Sequence, residues 1–113
     1  MKPIPKDSFG GIVSMLKCIA DETRIQILQI LAQNERVSVG EIVNNLKMSQ
    51  PNISKHLQVL YHGGLVESEK EGTTVYYFLS DSRVMKICDA VCENYKIILG
   101  KKAKNIKLQL AQT

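Results

Sequence analysis

The sequence predicts a mostly α-helical domain with a β-hairpin wing: a winged helix-turn-helix of about five helices and one two-stranded antiparallel hairpin. Three observations lead there. The run "SQPNISKHLQVLYHGG" carries signals for both ends of a helix, and it follows a shorter capped helix, "SVGEIVNNLKM", after a brief turn. The next segment, "LVESEKEGTTVYYFLS", changes from helical spacing to alternation around a glycine-containing turn. Apolar residues at helical spacing then bracket this unit on both sides.

Taken in order, residues 1–7 carry two prolines and no periodicity, which predicts a flexible lead-in. From Ser8 onward Phe9, Ile12, Val13, Leu16, Ile19 and Ala20 recur at helical spacing and predict a first helix ending near "ADETR". Asp21 is placed to cap a second helix, whose stripe is Ile25, Leu28 and Leu31, widened by Ile27 and Ile30. Ser38 caps the third, which turns Ile42, Val43 and Leu46 inward. Ser49 caps the fourth, Pro51 sits in its first turn where a missing N–H costs little, and Gly63-Gly64 suit its end. Gly72 falls in the hairpin turn, with Val75, Tyr77 and Leu79 on one face. A last helix runs from Ser82 to Leu99 through Val84, Cys88, Val91, Tyr95 and Ile98, with Gly100 as its expected stop. Residues 101–113 are lysine-rich with a residual helical pattern at Ile106, Leu108 and Leu110, and two readings stay open: a flexible end, which is the favoured one, or an extension of the last helix.

A chain of 113 residues fits one domain, residues 1–113, long enough to bury a core and open to completion by dimerisation. No apolar run approaches the ~18 residues of a membrane span, and the N-terminus lacks a secretory h-region, so a cytoplasmic location without membrane contact is expected. Three cysteines cannot all pair within one chain, which makes reduced thiols the expected state. The net charge is +4, and the interval between Glu41 and Glu67 holds Lys47, Lys55, His56 and His62 with no acidic residue. That interval favours an anion. No Gly-rich phosphate loop, carboxylate pair or nucleophile with an orienting base emerges, so an enzyme is not expected.

In a helix-turn-helix the second short helix lies in the major groove and reads bases with polar groups near its N-terminal end. Ser49, Gln50, Asn52, Ser54, Lys55 and His56 supply such groups, while Ile53, Leu57 and Leu60 fall on the opposite side. Gln and Asn can pair with adenine and Lys can donate to guanine or phosphate. At the hairpin tip Lys70, Thr73 and Thr74 suit backbone or minor-groove contacts. His62, beside the glycine pair, reads as a helix-end residue. The bland alternative is a solvated face, or a face that docks another protein.

The residues also resemble a known family. "LKCIADETRIQILQIL" is similar to the "LKALADPTRLRIL" opening of the ArsR/SmtB bacterial metalloregulators, "SVGEIVNNLKMSQPNISKHLQVLYHGGLV" resembles their helix-turn-helix, and "EKEGTTVYYFLS" their wing. The resemblance runs from about Leu16 to Asp81. It implies a homodimeric repressor, paired through its first and last helices, that binds double-stranded operator DNA and releases it when an inducer binds. The family's sensor patterns are incomplete. The third helix has no Cys-Val-Cys, and of the Asp-x-His-x10-His-x2-His/Glu zinc pattern only Asp81 is present, with Arg83, Asn94 and Ile97 at the other positions.

What remains for sensing is Cys18 on the first helix and Cys88 with Cys92 on the last. On a helix, residues four apart have Cβ atoms about 5–6 Å apart, wider than the ~3.8 Å of a relaxed disulfide, so a shared soft centre suits Cys88 and Cys92 better than a bond between them. With Cys18 as a third sulfur the set would suit As(III) or Sb(III), the favoured inducers, whereas a soft divalent metal usually wants a fourth ligand. Two other readings stay open: a redox or persulfide sensor linking Cys18 to one of the pair, and plain core packing, since free cysteine is among the most buried residue types.

Overall fold

The computed structural model describes residues 1–112. A short 3-10 turn at Lys6–Ser8 leads into α1 (Phe9–Ile19), followed by α2 (Glu22–Ala32), β1 (Val37–Ser38), α3 (Val39–Leu46), α4 (Gln50–His62), β2 (Val66–Glu71), β3 (Thr74–Leu79) and α5 (Arg83–Ala111). The helix starts follow the capping signals. Asp21 accepts from the Arg24 N–H, Ser38 from the Glu41 N–H and Ser49 from the Asn52 N–H. Each satisfies one of the donors that a helix N-terminus leaves without an intrahelical partner.

The core lies where α2, α3 and α4 meet the sheet. Ile27, Leu28, Leu31, Ile42, Ile53, Leu57 and Leu60 are buried there with Val37, Leu65, Val66 and Tyr77, and Val84 at the start of α5 closes one side. Truncating one of these large side chains to alanine typically costs about 2–5 kcal/mol. Ile25, expected within the α2 stripe, is instead 46% exposed. Ile27 and Leu28 set the buried face, and two residues earlier the helix has turned about 200° from Ile27, placing Ile25 on the side toward α5.

Two further differences from the sequence reading are structural. The predicted two-stranded hairpin gains a third strand, because Val37 and Ser38 pair antiparallel with Tyr77 and Tyr76, giving the order β1-β3-β2. That strand anchors the wing to the start of α3. Gly100 does not stop α5, which continues to Ala111. A helical glycine costs only about 1 kcal/mol relative to alanine, and here it stands between good helix formers. The segment expected to be a flexible end is therefore helical through Ala111, and its last position, Thr113, lies outside the described residues. Among the described residues no helix is long and apolar enough to cross a membrane.

Candidate functional site

The turn that separates α3 from α4 is set by Lys47, whose φ of 54° is left-handed and whose N–H donates to the Val43 carbonyl at 2.8 Å. This ends α3 abruptly and lets Ser49 cap α4 two residues later. Ile53, Leu57 and Leu60 are fully buried, so the helix cannot rotate about its axis without removing them from the core. The opposite side is fixed by the same contacts. Lys55 is exposed there, with Asn52 and Ser54 half-buried at its edges, while Ser49 and Gln50 are exposed at the leading end of the helix.

His56 does not share that face. Its Nδ1 lies 3.2 Å from an Arg24 guanidinium nitrogen and 3.6 Å from the Asp21 carboxylate. Guanidinium only donates, so Nδ1 is the acceptor of this contact whenever the ring is neutral. Arg24 also donates through Nε to the Cys18 carbonyl at 2.6 Å and through its other amino group to the Lys17 carbonyl at 3.2 Å. One side chain on α2 thus satisfies the end of α1 and touches the reading helix. The Asp21 carboxyl is held below its ordinary range by the Arg24 N–H first, against burial as the next-largest influence, with nearby His56 and Arg24 and the Thr23 N–H adding smaller lowering contributions. Sequence reasoning passed over Arg24; its signal was an arginine three residues after a helix cap, in reach of the preceding helix end.

At the wing, Gly72 takes a φ of 64° in the turn, and Lys70, Thr73 and Thr74 are exposed around it. Arg36, just before β1, donates to Glu69 at 2.6 Å and Glu71 at 2.5 Å and lies 4.0 Å over the Tyr76 ring. Its guanidinium is held more firmly charged by hydrogen bonds to Glu69 first and then Glu71. Because side chains alternate along a strand, Lys70 points away from the face that Glu69 and Glu71 present to Arg36. The clamp leaves the lysine for solvent.

Within the chain the three thiols divide between two cavities. Cys18 borders a cavity of about 770 Å³ between α1 and α4, with Ser14, Met15, Lys55, Gln58 and His62. It also packs on Gly63 so tightly that a Cβ there would lie 2.7 Å from its Sγ. Cys88 and Cys92 border a second cavity of about 460 Å³ with Leu16, Ile19, Ile25, Val91 and Tyr95. All three are free thiols. Burial first, and the nearby Asp89 second, push the Cys88 thiol above its ordinary pKa. Among the described residues no three His, Cys, Asp or Glu side chains converge on a point that could hold a metal ion. Asp81, the surviving member of the zinc pattern, is engaged by Arg83 through the backbone N–H at 2.8 Å and two guanidinium contacts at 3.0 and 2.9 Å. These hold its carboxyl at about 2.

A buried-face helix pair with a polar leading end, backed by a three-stranded wing, defines a winged helix-turn-helix DNA-binding regulator. Residues 21–68 match the family described as bacterial regulatory protein, arsR family. The arsenical resistance operon repressor of Escherichia coli is 36% identical, the match covering 80% of this chain and 81% of that protein. Among solved structures, HlyU from Vibrio cholerae is 39% identical with a TM-score of 0.70, covering 81% of this chain and 98% of its own. The homodimeric winged helix-turn-helix DNA-binding domain Mb0332 from Mycobacterium bovis is 29% identical with a TM-score of 0.75, over 88% and 94% of the two chains. The chain belongs to the ArsR family of transcriptional regulators.

Proposed function

We propose that this protein is an inducible repressor that binds operator DNA as a homodimer, reading bases with the leading end of α4 and contacting the backbone with the wing. The observation that carries the reading is the fixed orientation of α4: three fully buried residues, Ile53, Leu57 and Leu60, commit Lys55 to the outer side with Asn52 and Ser54 at its edges, and leave Ser49 and Gln50 exposed at the helix's leading end. Lys70, Thr73 and Thr74 extend this surface. His56 serves it by holding α4 to α2.

Pairing through α1 and α5 is supported by what the single chain leaves in solvent. Phe9, Ile12, Val13, Met15 and Leu16 on α1, with Val91, Tyr95, Ile98 and Leu99 on α5, are exposed large apolar side chains on neighbouring helices. An apolar face of this kind marks an interaction surface. Cys88 and Cys92 lie within it, so a thiophilic inducer bonded to them would act on dimer geometry, and a coupling of about 1–3 kcal/mol between the sites suffices to release DNA. Arsenite and antimonite remain the favoured inducers, and the pair supplies two of the three bonds that such a trivalent centre makes. The repressor relative from Escherichia coli supports the direction of regulation and the chemistry.

The test is operator binding by the reduced protein with and without arsenite, antimonite or cadmium. Affinity should fall with an effective inducer, and a Cys88→Ser, Cys92→Ser double variant should bind DNA equally well yet ignore it. Unchanged affinity in every case would remove the sensing half of the proposal.

A further inference from the structure

We infer that Arg24 is a positioning residue for DNA reading: its guanidinium ties His56 on α4 to the end of α1, so the placement of the reading helix follows the helix through which the chain pairs. The inference deepens the reading above and rests on it for the roles of α4 and α1. Three observations carry it. Arg24 directs a different nitrogen to each partner: Nε to the Cys18 carbonyl at 2.6 Å, one amino group to the Lys17 carbonyl at 3.2 Å and the other to His56 Nδ1 at 3.2 Å. Its backbone N–H donates to the Asp21 carboxylate at 3.1 Å, and the adjacent Thr23 hydroxyl meets Met48 Sδ, just ahead of the α4 cap, at 3.8 Å. Cys18 also reaches the far end of α4, where its Sγ packs on Gly63.

Ile19 is the buried residue of α1, while Phe9, Ile12, Val13 and Leu16 stay exposed, so α1 is only lightly rooted in the core of its own chain. A partner that covers those side chains can shift α1 without unpacking α2, α3 and the sheet. The Lys17 and Cys18 carbonyls belong to the last turn of α1, where carbonyls lack intrahelical donors and a cation is favoured. Arg24 is half-buried, and its planar fork serves all three acceptors at once. A lysine, with its donors on a single nitrogen, cannot span them. Only 16% of the His56 side chain is exposed, so the ring moves with the guanidinium and the helix moves with the ring. His56 directly follows Lys55 and lies about one turn after Asn52. Base-edge pairing depends on where such side chains sit, whereas phosphate contacts hold a duplex without reading it. Loss of the tie therefore falls on sequence preference and spares general DNA affinity.

The test compares Arg24→Lys, which keeps the charge, with the wild type on the duplex that the wild type selects from a random-sequence pool and on a scrambled duplex of equal length. Affinity for the selected duplex should fall about tenfold or more and for the scrambled one by less than about twofold, with dimer mass and the salt slope on the scrambled duplex unchanged. His56→Ala, which leaves the hold of Arg24 on α1 in place, should show the same split, and it decides the question should Arg24→Lys fail to fold. The double variant should be weaker than the worse single variant by less than about twofold. A readout without DNA follows from the same geometry: NMR shifts of the His56 ring should differ between the wild type and a Val91→Asp monomer, and should not differ when Val91→Asp is added to Arg24→Lys. Equal losses on both duplexes, additive losses in the double variant, or a wild-type His56 ring indifferent to pairing would overturn the inference. If the wild type selects a duplex and both single variants keep that preference, the reading of α4 stands and the role of Arg24 falls. Should the wild type sediment as a monomer while the split holds, Arg24 positions α4 as inferred and the pairing reading fails. A wild type that selects no duplex removes the reading of α4 and this inference with it.

Discussion

Gly63 ends α4 with a φ of −77°, a conformation open to any residue, so its missing side chain reflects space and not backbone freedom. Cys18 Sγ fills that space. Gly63→Ala should therefore destabilise the protein by about 1–3 kcal/mol through overpacking, and Cys18→Ala should return part of the loss in a double-mutant cycle measured by urea unfolding. Strict additivity would show that the two do not touch. Asp81 supplies a second residue-scale prediction. Its folded pKa of about 2 lies below the ordinary 3.8, so its contribution to the start of α5 is complete above pH 4 or so and is lost as pH falls toward about 2. A carboxyl titration by NMR should find the midpoint near the lower value, and Arg83→Ala should move it back up; a wild-type midpoint at the ordinary value contradicts the pairing. Neither contact was legible in the sequence, nor was the split of the cysteines. A residue's azimuth on its helix follows from spacing, but which neighbour it meets depends on how helices cross, and Cys18 faces α4 where Ile19 and Leu16 face α5.

Elements were more readable because their signals are local. The caps at Asp21, Ser38 and Ser49 each mark a helix start, and Gly72 marks the hairpin turn. Ser49→Ala should lower stability by about 1 kcal/mol, readable in thermal unfolding, and should weaken DNA binding if the leading end of α4 frays. β1 escaped notice because two residues carry no alternation to read, and Lys47 because a left-handed lysine has no composition signal. Gly100 misled in the other direction. A glycine signals a helix end only when tertiary contacts or a following breaker agree, and "KKAK" continues the helix. Nothing lies within 4 Å of a Cβ built at Gly100, so Gly100→Ala should gain about 0.5–1 kcal/mol and raise helical signal in circular dichroism. A loss of stability would mean that a close neighbour, such as a partner helix, occupies that space.

At the scale of the molecule, α5 dominates the shape: 29 residues of helix, about 43 Å at 1.5 Å per residue, in a chain whose longest extent is 66 Å. Val91 and Tyr95 are 63% and 61% exposed midway along it, a placement that one chain cannot explain by its own packing. Replacing Val91 with Asp should convert a dimer to a folded monomer in sedimentation equilibrium and weaken operator binding together with it, since two half-sites then bind independently. The central claim is that α4 and the wing read DNA in that dimer. It is tested most directly by selecting a preferred duplex from a random-sequence pool and measuring affinity for it across salt concentrations, wild type beside Gln50→Ala and Lys70→Ala. The account predicts a pseudo-palindromic site and a linear fall of log K with log salt. Gln50→Ala should relax base preference, and Lys70→Ala should weaken all sequences evenly and flatten the slope by about 1. A protein that selects no sequence, or whose affinity is indifferent to salt and to both substitutions, would contradict it.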